Sequence, residues 1–241
     1  MARLVRAELV KAGANRVTWI LAAIAPFFCV AWAVLIVMLA PPDGAPAPVG
    51  VYAMAQQAYV FTLILGILGM SGEFRHKAIA WSFLVTPRRG PVVTAKLAAY
   101  GFIGLLVALA SAAATVVAGV ALLAVKGLPV WSADVPPALV GGVLATAGYA
   151  VFGVALAVLV RSQVAAVFLA ALIFTYGDYF LGWLAPGVYP WLPTGAARAV
   201  GSLPIETATL LPAWGGAVVF AGYVAVIVVI ARLVTLRRDI T

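Results

Sequence analysis

Glu73 and His76 stand three residues apart, the spacing with which a Glu-x-x-His pair can ligate a metal from one face of a helix. A di-metal centre in a helical bundle needs two such pairs and two further carboxylates, and this chain has a single histidine. No bound metal is expected. Asp178 is the other acid whose surroundings invite chemistry. It lies about 22 Å along an apolar run at 1.5 Å per residue, among Tyr176, Tyr179, Phe180 and Trp183. An interfacial acid in an aromatic belt is the plainer reading of that position, and a gate or substrate contact is the other. No Ser/His/Asp or Cys/His set can be assembled within a membrane plane, and no GxxxxGK[ST] phosphate loop occurs anywhere. The chain is therefore expected not to be an enzyme and not to hydrolyse ATP itself.

The remaining concentration of polar residues runs from Glu73 to Lys96, the one long polar interruption in an otherwise apolar sequence. On a helical wheel Phe74, Ala78, Trp81 and Val85 follow one another at i, i+4, i+7 and i+11 with Leu84 beside them, while Arg75 and Ser82 fall opposite. Thr86-Pro87 ends that helix, because the residue before proline is disfavoured in the α region. Arg88-Arg89-Gly90 then turns the chain, and Pro91 opens the next helix. An amphipathic helix holding lipid headgroups and a helix that docks a partner both fit this pattern.

The elements that carry these residues follow from composition. Of the 241 residues 66% are hydrophobic and 9% charged, against about 25% charged in soluble domains. About 20 apolar residues cross the hydrocarbon of a bilayer, and six blocks qualify: Val17 to Ala40, Val51 to Met70, Leu97 to Val125, Pro137 to Val160, Val164 to Trp183 and Ala213 to Ala231. Unpaired strand edges are excluded from lipid, so an all-α membrane protein with six transmembrane helices in a single domain over residues 1–241 is expected. The first block is too long for the apolar core of a signal peptide and reads as a retained span. All but two of the 15 Lys and Arg, the exceptions being Lys126 and Arg198, fall on one side of the six blocks. Both termini and the 73–96 segment are accordingly expected on the cytoplasmic side. The formal charge of +8 is juxtamembrane and suits anionic lipid rather than nucleic acid.

Ala2 to Arg16 form a modestly amphipathic helix, with Val5, Leu9 and Ala12 on one face, expected to lie along the inner headgroups; a lever touching a cytosolic partner is the alternative. Cys29 is the only cysteine, so no disulfide forms within the chain, and it reads as a packing or lipid-side residue. Pro41 to Gly50 and Lys126 to Pro137 are outer loops, the latter anchored by Trp131. Ala185 to Pro212 is too apolar for a free loop and predicts a short helical or re-entrant element. Gly101, Gly104, Ala108, Ala112, Gly141, Gly142, Gly148 and Gly153 predict closely approaching helices, in a compact bundle or at a dimer surface.

The string GEFRHKAIAWSFLVTPRRGPVVTAKL resembles the first cytoplasmic loop of type-2 ABC exporter permeases, where an acid, a basic pair, a Thr-Pro-Arg-Arg turn and a Lys recur. The N-terminal RLVRAELVKAGANRVTW resembles their R-x-E-x-x-K helix feeding the first span. The resemblance implies a multi-pass permease of the bacterial cell membrane that pairs with a second permease copy, identical or not, and with separate ATP-binding cassette subunits. ATP and Mg belong to those partners, and no cofactor is implied for this chain. Docking on the ATPase is implied for Ile79, Ala80, Trp81, Ser82, Phe83, Leu84 and Val85 in the helix and for Thr86, Pro87, Arg88 and Arg89 in the turn. Glu73 and Arg75 match the inner polar relay positions. A path along the second and fifth helices at a dimer axis nominates Gln56, Tyr59, Phe168 and Tyr176, and its apolar, aromatic character favours a hydrophobic or amphipathic cargo such as a drug or lipid.

Three other classes compete. A lipid-modifying membrane enzyme would need clustered acids or histidines, and only isolated ones occur. A non-transporting scaffold could dock a cytosolic partner through the same loop. A proton-driven secondary transporter would rest on Asp178, and the sequence has no internal repeat of the kind such transporters carry.

Overall fold

A computed structural model describes residues 1–40, 46–75, 89–160, 162–205 and 208–237. Every regular element among them is helical. Helix α1 (Ala2–Ala14) is followed directly by α2 (Arg16–Leu39), and Asn15 between them caps α2 by accepting from the Val17 N–H at 3.0 Å. Next come α3 (Pro48–Ala53), a 3-10 turn (Met54–Ala58) and α4 (Tyr59–Arg75), which together make one continuous rod. Helix α5 (Arg89–Val125) is the longest at 37 residues.

At its end Gly127 adopts φ +67°, the left-handed conformation that a residue without Cβ takes without strain. Leu128 N–H then reaches Leu123 O at 2.9 Å and Gly127 N–H reaches Ala124 O at 3.0 Å, the paired bonds of a Schellman stop. Helix α6 (Val135–Val160) returns, and α7 (Gln163–Ala171) continues through a π turn (Leu172–Tyr176) into α8 (Gly177–Leu184). A 3-10 turn (Tyr189–Trp191), the short α9 (Pro193–Val200) and α10 (Ala213–Arg237) complete the chain.

Five helices are long and apolar enough to cross a membrane: Arg16–Leu39, Pro48–Gly72, Gly90–Val125, Val135–Val160 and Ala213–Val234. The fifth sequence block falls in the α7–π–α8 run, whose apolar helix Gln163–Tyr176 is shorter than those five. The multi-pass character is thus carried by five helices among the described residues, and the sixth crossing stays an expectation.

Helix α6 is the hub, packed by α4, α5 and α10, while α2 covers α5 from the far side. Small residues make the central contact. A Cβ added to Gly66 would run into the Ala150 carbonyl, and one added to Gly153 would run into the Leu63 carbonyl, so α4 and α6 touch backbone to backbone. Gly104 meets the Ala150 methyl, and Gly141 the Val200 carbonyl on α9. The glycines singled out in the sequence therefore close contacts inside this chain. Around them Leu63, Ile67 and Met70 of α4, Tyr149 and Phe152 of α6, Phe174 of the π turn and Phe220 of α10 form the main core.

The Ala185 to Pro212 segment does fold into a short helix, and all of Thr194 to Val200 is buried against α6 and α10.

Candidate functional site

The 73–96 segment begins on the last turn of α4 and ends on α5, and the described side chains that matter lie where α5 meets α1 and α4. Lys96 is two turns inside α5, because that helix begins at Arg89 rather than at the start of the third apolar block. At 1.5 Å per residue α5 is about 55 Å long, well beyond the roughly 30 Å of hydrocarbon, so its first turns have length to spare outside the apolar layer. Lys96 is nonetheless only 2% exposed. Burying an ammonium is expensive unless its charge and its donors are met, and here they are. Its Nζ lies 2.6 Å from Glu8 Oε2, donates to the Gly69 carbonyl at 3.1 Å and stands 5.8 Å above the Tyr100 ring centroid.

Each of those partners belongs to a different helix or turn. Gly69 of α4 has no side chain, and the Tyr100 ring of α5 occupies the space where a Cβ would be, which brings the Gly69 carbonyl within reach of Lys96. Glu8 comes from α1 and is 5% exposed; its second oxygen, Oε1, accepts from Lys11 Nζ at 2.7 Å. Burial by itself would raise the Glu8 carboxyl, but the Lys96 charge and the hydrogen bonds from Lys11 and Lys96 outweigh it and hold Glu8 below its ordinary value of 4.5. At neutral pH the junction is an ionised carboxylate clamped between two ammonium groups. Chemically it can fix three helices to one another; it has no nucleophile and no open coordination position.

Trp19 secures α1 from its other end. Its indole N–H donates to the Gly13 carbonyl at 2.8 Å, one of the carbonyls left free where α1 stops.

A second polar cluster lies at the opposite end of the bundle. Gln56, in the 3-10 turn and 2% exposed, donates from Nε2 to the Ala197 carbonyl of α9 at 2.7 Å. Thr146 of α6 approaches the Gln56 carbonyl at 3.5 Å, and Thr62 of α4 donates to the Thr146 carbonyl at 2.8 Å. Arg198 on α9 is buried and donates to the Pro204 carbonyl at 3.1 Å.

The residues nominated from the sequence divide sharply. Ile79 to Arg88, with His76, lie outside the described residues. Arg89 opens α5, and Glu73 and Arg75 occupy the last turn of α4, one turn beyond Gly69. Gln56 and Tyr59 are buried, the latter donating to the Phe174 carbonyl at 2.8 Å, whereas Phe168 and Tyr176 are 68% and 70% exposed on the outer face of the α7–π–α8 run. Asp178 is on α8. Among the described residues no group of three or more His, Cys, Asp or Glu comes together as metal ligands.

Glu8, the acid of the R-x-E-x-x-K resemblance, is given no role of its own by the sequence. It falls three residues after Val5 and four before Ala12, on the apolar face of α1, and a lone acid on such a face signals a buried partner.

No protein-family model matches this sequence, and no curated protein is significantly similar to it.

Proposed function

We propose that this chain is the membrane permease subunit of an ATP-driven exporter of the type-2 ABC kind, with six spans and both termini in the cytoplasm of a bacterial cell. A separate ATP-binding cassette subunit docks on the helix and turn from Ile79 to Arg89, hydrolyses ATP with Mg, and moves the bundle. A second permease copy completes the transporter, and a hydrophobic or amphipathic cargo passes between the two.

The observation that supports this reading most is the junction of Glu8, Lys96 and Gly69 at the base of the docking segment. A push on a loop is useful only if its stems do not yield. Lys96 joins the two stems, and Glu8 adds α1, so force on the 76–88 segment is delivered to α1, α4 and α5 as one body. Transport is then a population shift between inward-open and outward-open bundles, driven by a partner that binds the two with different affinity. The exposed Phe168 and Tyr176 suit a surface turned toward a second copy and its cargo, while Gln56 and Tyr59 contribute from behind as the core that carries that surface.

The test is co-expression with a candidate ATPase. Changing Arg88 and Arg89 together to Glu is expected to abolish association and ATP-dependent transport while leaving the permease folded. An intact complex with unchanged transport would overturn the docking assignment.

A further inference from the structure

Two departures from α geometry are bridged inside the bundle by one hydrogen bond, from Tyr59 to Phe174. The rod of the second apolar block tightens into a 3-10 turn at Met54–Ala58, and the fifth block widens into a π turn at Leu172–Tyr176, where the Gly177 N–H bonds back to the Leu172 carbonyl. Both are uncommon inside long helices, and π turns amount to one inserted residue. At 3.6 residues per turn, one extra residue rotates everything after it by about 100° relative to a straight α continuation.

Phe174 is the only buried residue of the π turn. Its ring meets Tyr149 edge-on at a centroid distance of 5.8 Å and Phe152 at 5.2 Å. Its carbonyl accepts from the hydroxyl of Tyr59, the first residue after the 3-10 turn, at 2.8 Å. The Tyr59 ring in turn lies 4.9 Å from Tyr149. The residue that ends one irregularity thus holds the buried residue of the other.

We infer that Tyr59 and Phe174 form a latch that keeps the helix of residues 163–184 in its π register, and that releasing the Tyr59 hydroxyl lets this turn relax to α. Relaxation turns Phe180 and Trp183, both exposed, through one residue position and so presents a different aromatic face beyond the turn. The bistable element is a single turn, and the bias on it comes from α4. The inference rests on these contacts and not on the transport reading.

Hydrogen–deuterium exchange of the full chain in lipid nanodiscs, with no ATPase or cargo present, tests it. Tyr59→Phe removes the hydroxyl and keeps the ring, and is expected to speed exchange about three- to tenfold over residues 172–180 while leaving 163–171 unchanged. Thr62→Val, which removes an equally buried hydroxyl of α4 directed at α6, is expected to leave 172–180 alone. Unchanged exchange in Tyr59→Phe, or the same acceleration in Thr62→Val, overturns the latch. Should Tyr59→Phe fail to fold, the unmodified protein still decides. Residues 172–180 must open in a step separate from 163–171, and exchange of 163–184 as one cooperative unit overturns the latch.

Discussion

Glu8 and Lys96 show what a buried charge pair does when its two residues are 88 positions apart in sequence. Replacing such a pair by apolar groups can be close to neutral, but removing one member strands the other, at a cost of about 3–5 kcal/mol. Glu8→Gln is therefore expected to lower the thermal midpoint of the detergent-purified protein sharply. The double change Glu8→Leu with Lys96→Met should recover most of that loss. The pH dependence has a definite sign. The folded carboxyl titrates below its ordinary value of 4.5, so its contribution is fully present above that pH and disappears as pH falls through the lowered folded value. The stability gap between wild type and Glu8→Gln should stay constant from neutral pH down to about pH 5 and close in more acidic solution; a gap that widens on acidification would contradict the assignment.

At the scale of elements, the α4–α6 contact depends on two absent side chains. Gly153→Ala would drive a methyl into the Leu63 carbonyl and within 3.1 Å of the Ile67 N–H. It is expected to destabilise by about 1–3 kcal/mol, as overpacking does, measured as a lower unfolding midpoint. Gly13→Ala, where an added Cβ meets nothing, is the control and should leave that midpoint in place. Much at this scale was legible in the sequence. Apolar block length located the five long helices, although the third block opens eight residues after Arg89 and the sixth closes six before Arg237, and the small residues announced close approach. The composition of 185–212 announced a short helical or re-entrant element, of which the helix Pro193–Val200 is what forms. What was not legible depends on pairing across the fold. Lys96 counts in the sequence as one more juxtamembrane cation, because nothing in the pattern of α5 shows that Glu8, 88 residues away on α1, packs against it. The 3-10 and π turns leave no mark in hydropathy, because they depend on where Tyr59 and Phe174 meet.

The whole molecule is a bundle built around α6, with one polar junction at the base of the 73–96 stems and another at the far end between Gln56 and α9. The four residues that the family resemblance nominated for a path separate into two buried and two exposed, because a resemblance in helix order carries no information about which neighbour covers each side chain. The cation bias predicts cytoplasmic termini, so a cysteine placed near Arg237 is expected to be shielded from a membrane-impermeant thiol reagent in intact cells, and one placed at Lys126 is expected to be labelled. On the proposed reading the bundle is moved by a separate ATP-binding subunit. The most direct measurement is to purify the tagged wild-type chain from its native membrane in mild detergent, identify what accompanies it and assay the reconstituted complex in liposomes. A stoichiometric ATP-binding cassette protein whose hydrolysis drives cargo across the bilayer is the predicted result. A chain that purifies without such a partner, or whose complex hydrolyses ATP with no movement of any hydrophobic or amphipathic cargo, would contradict it.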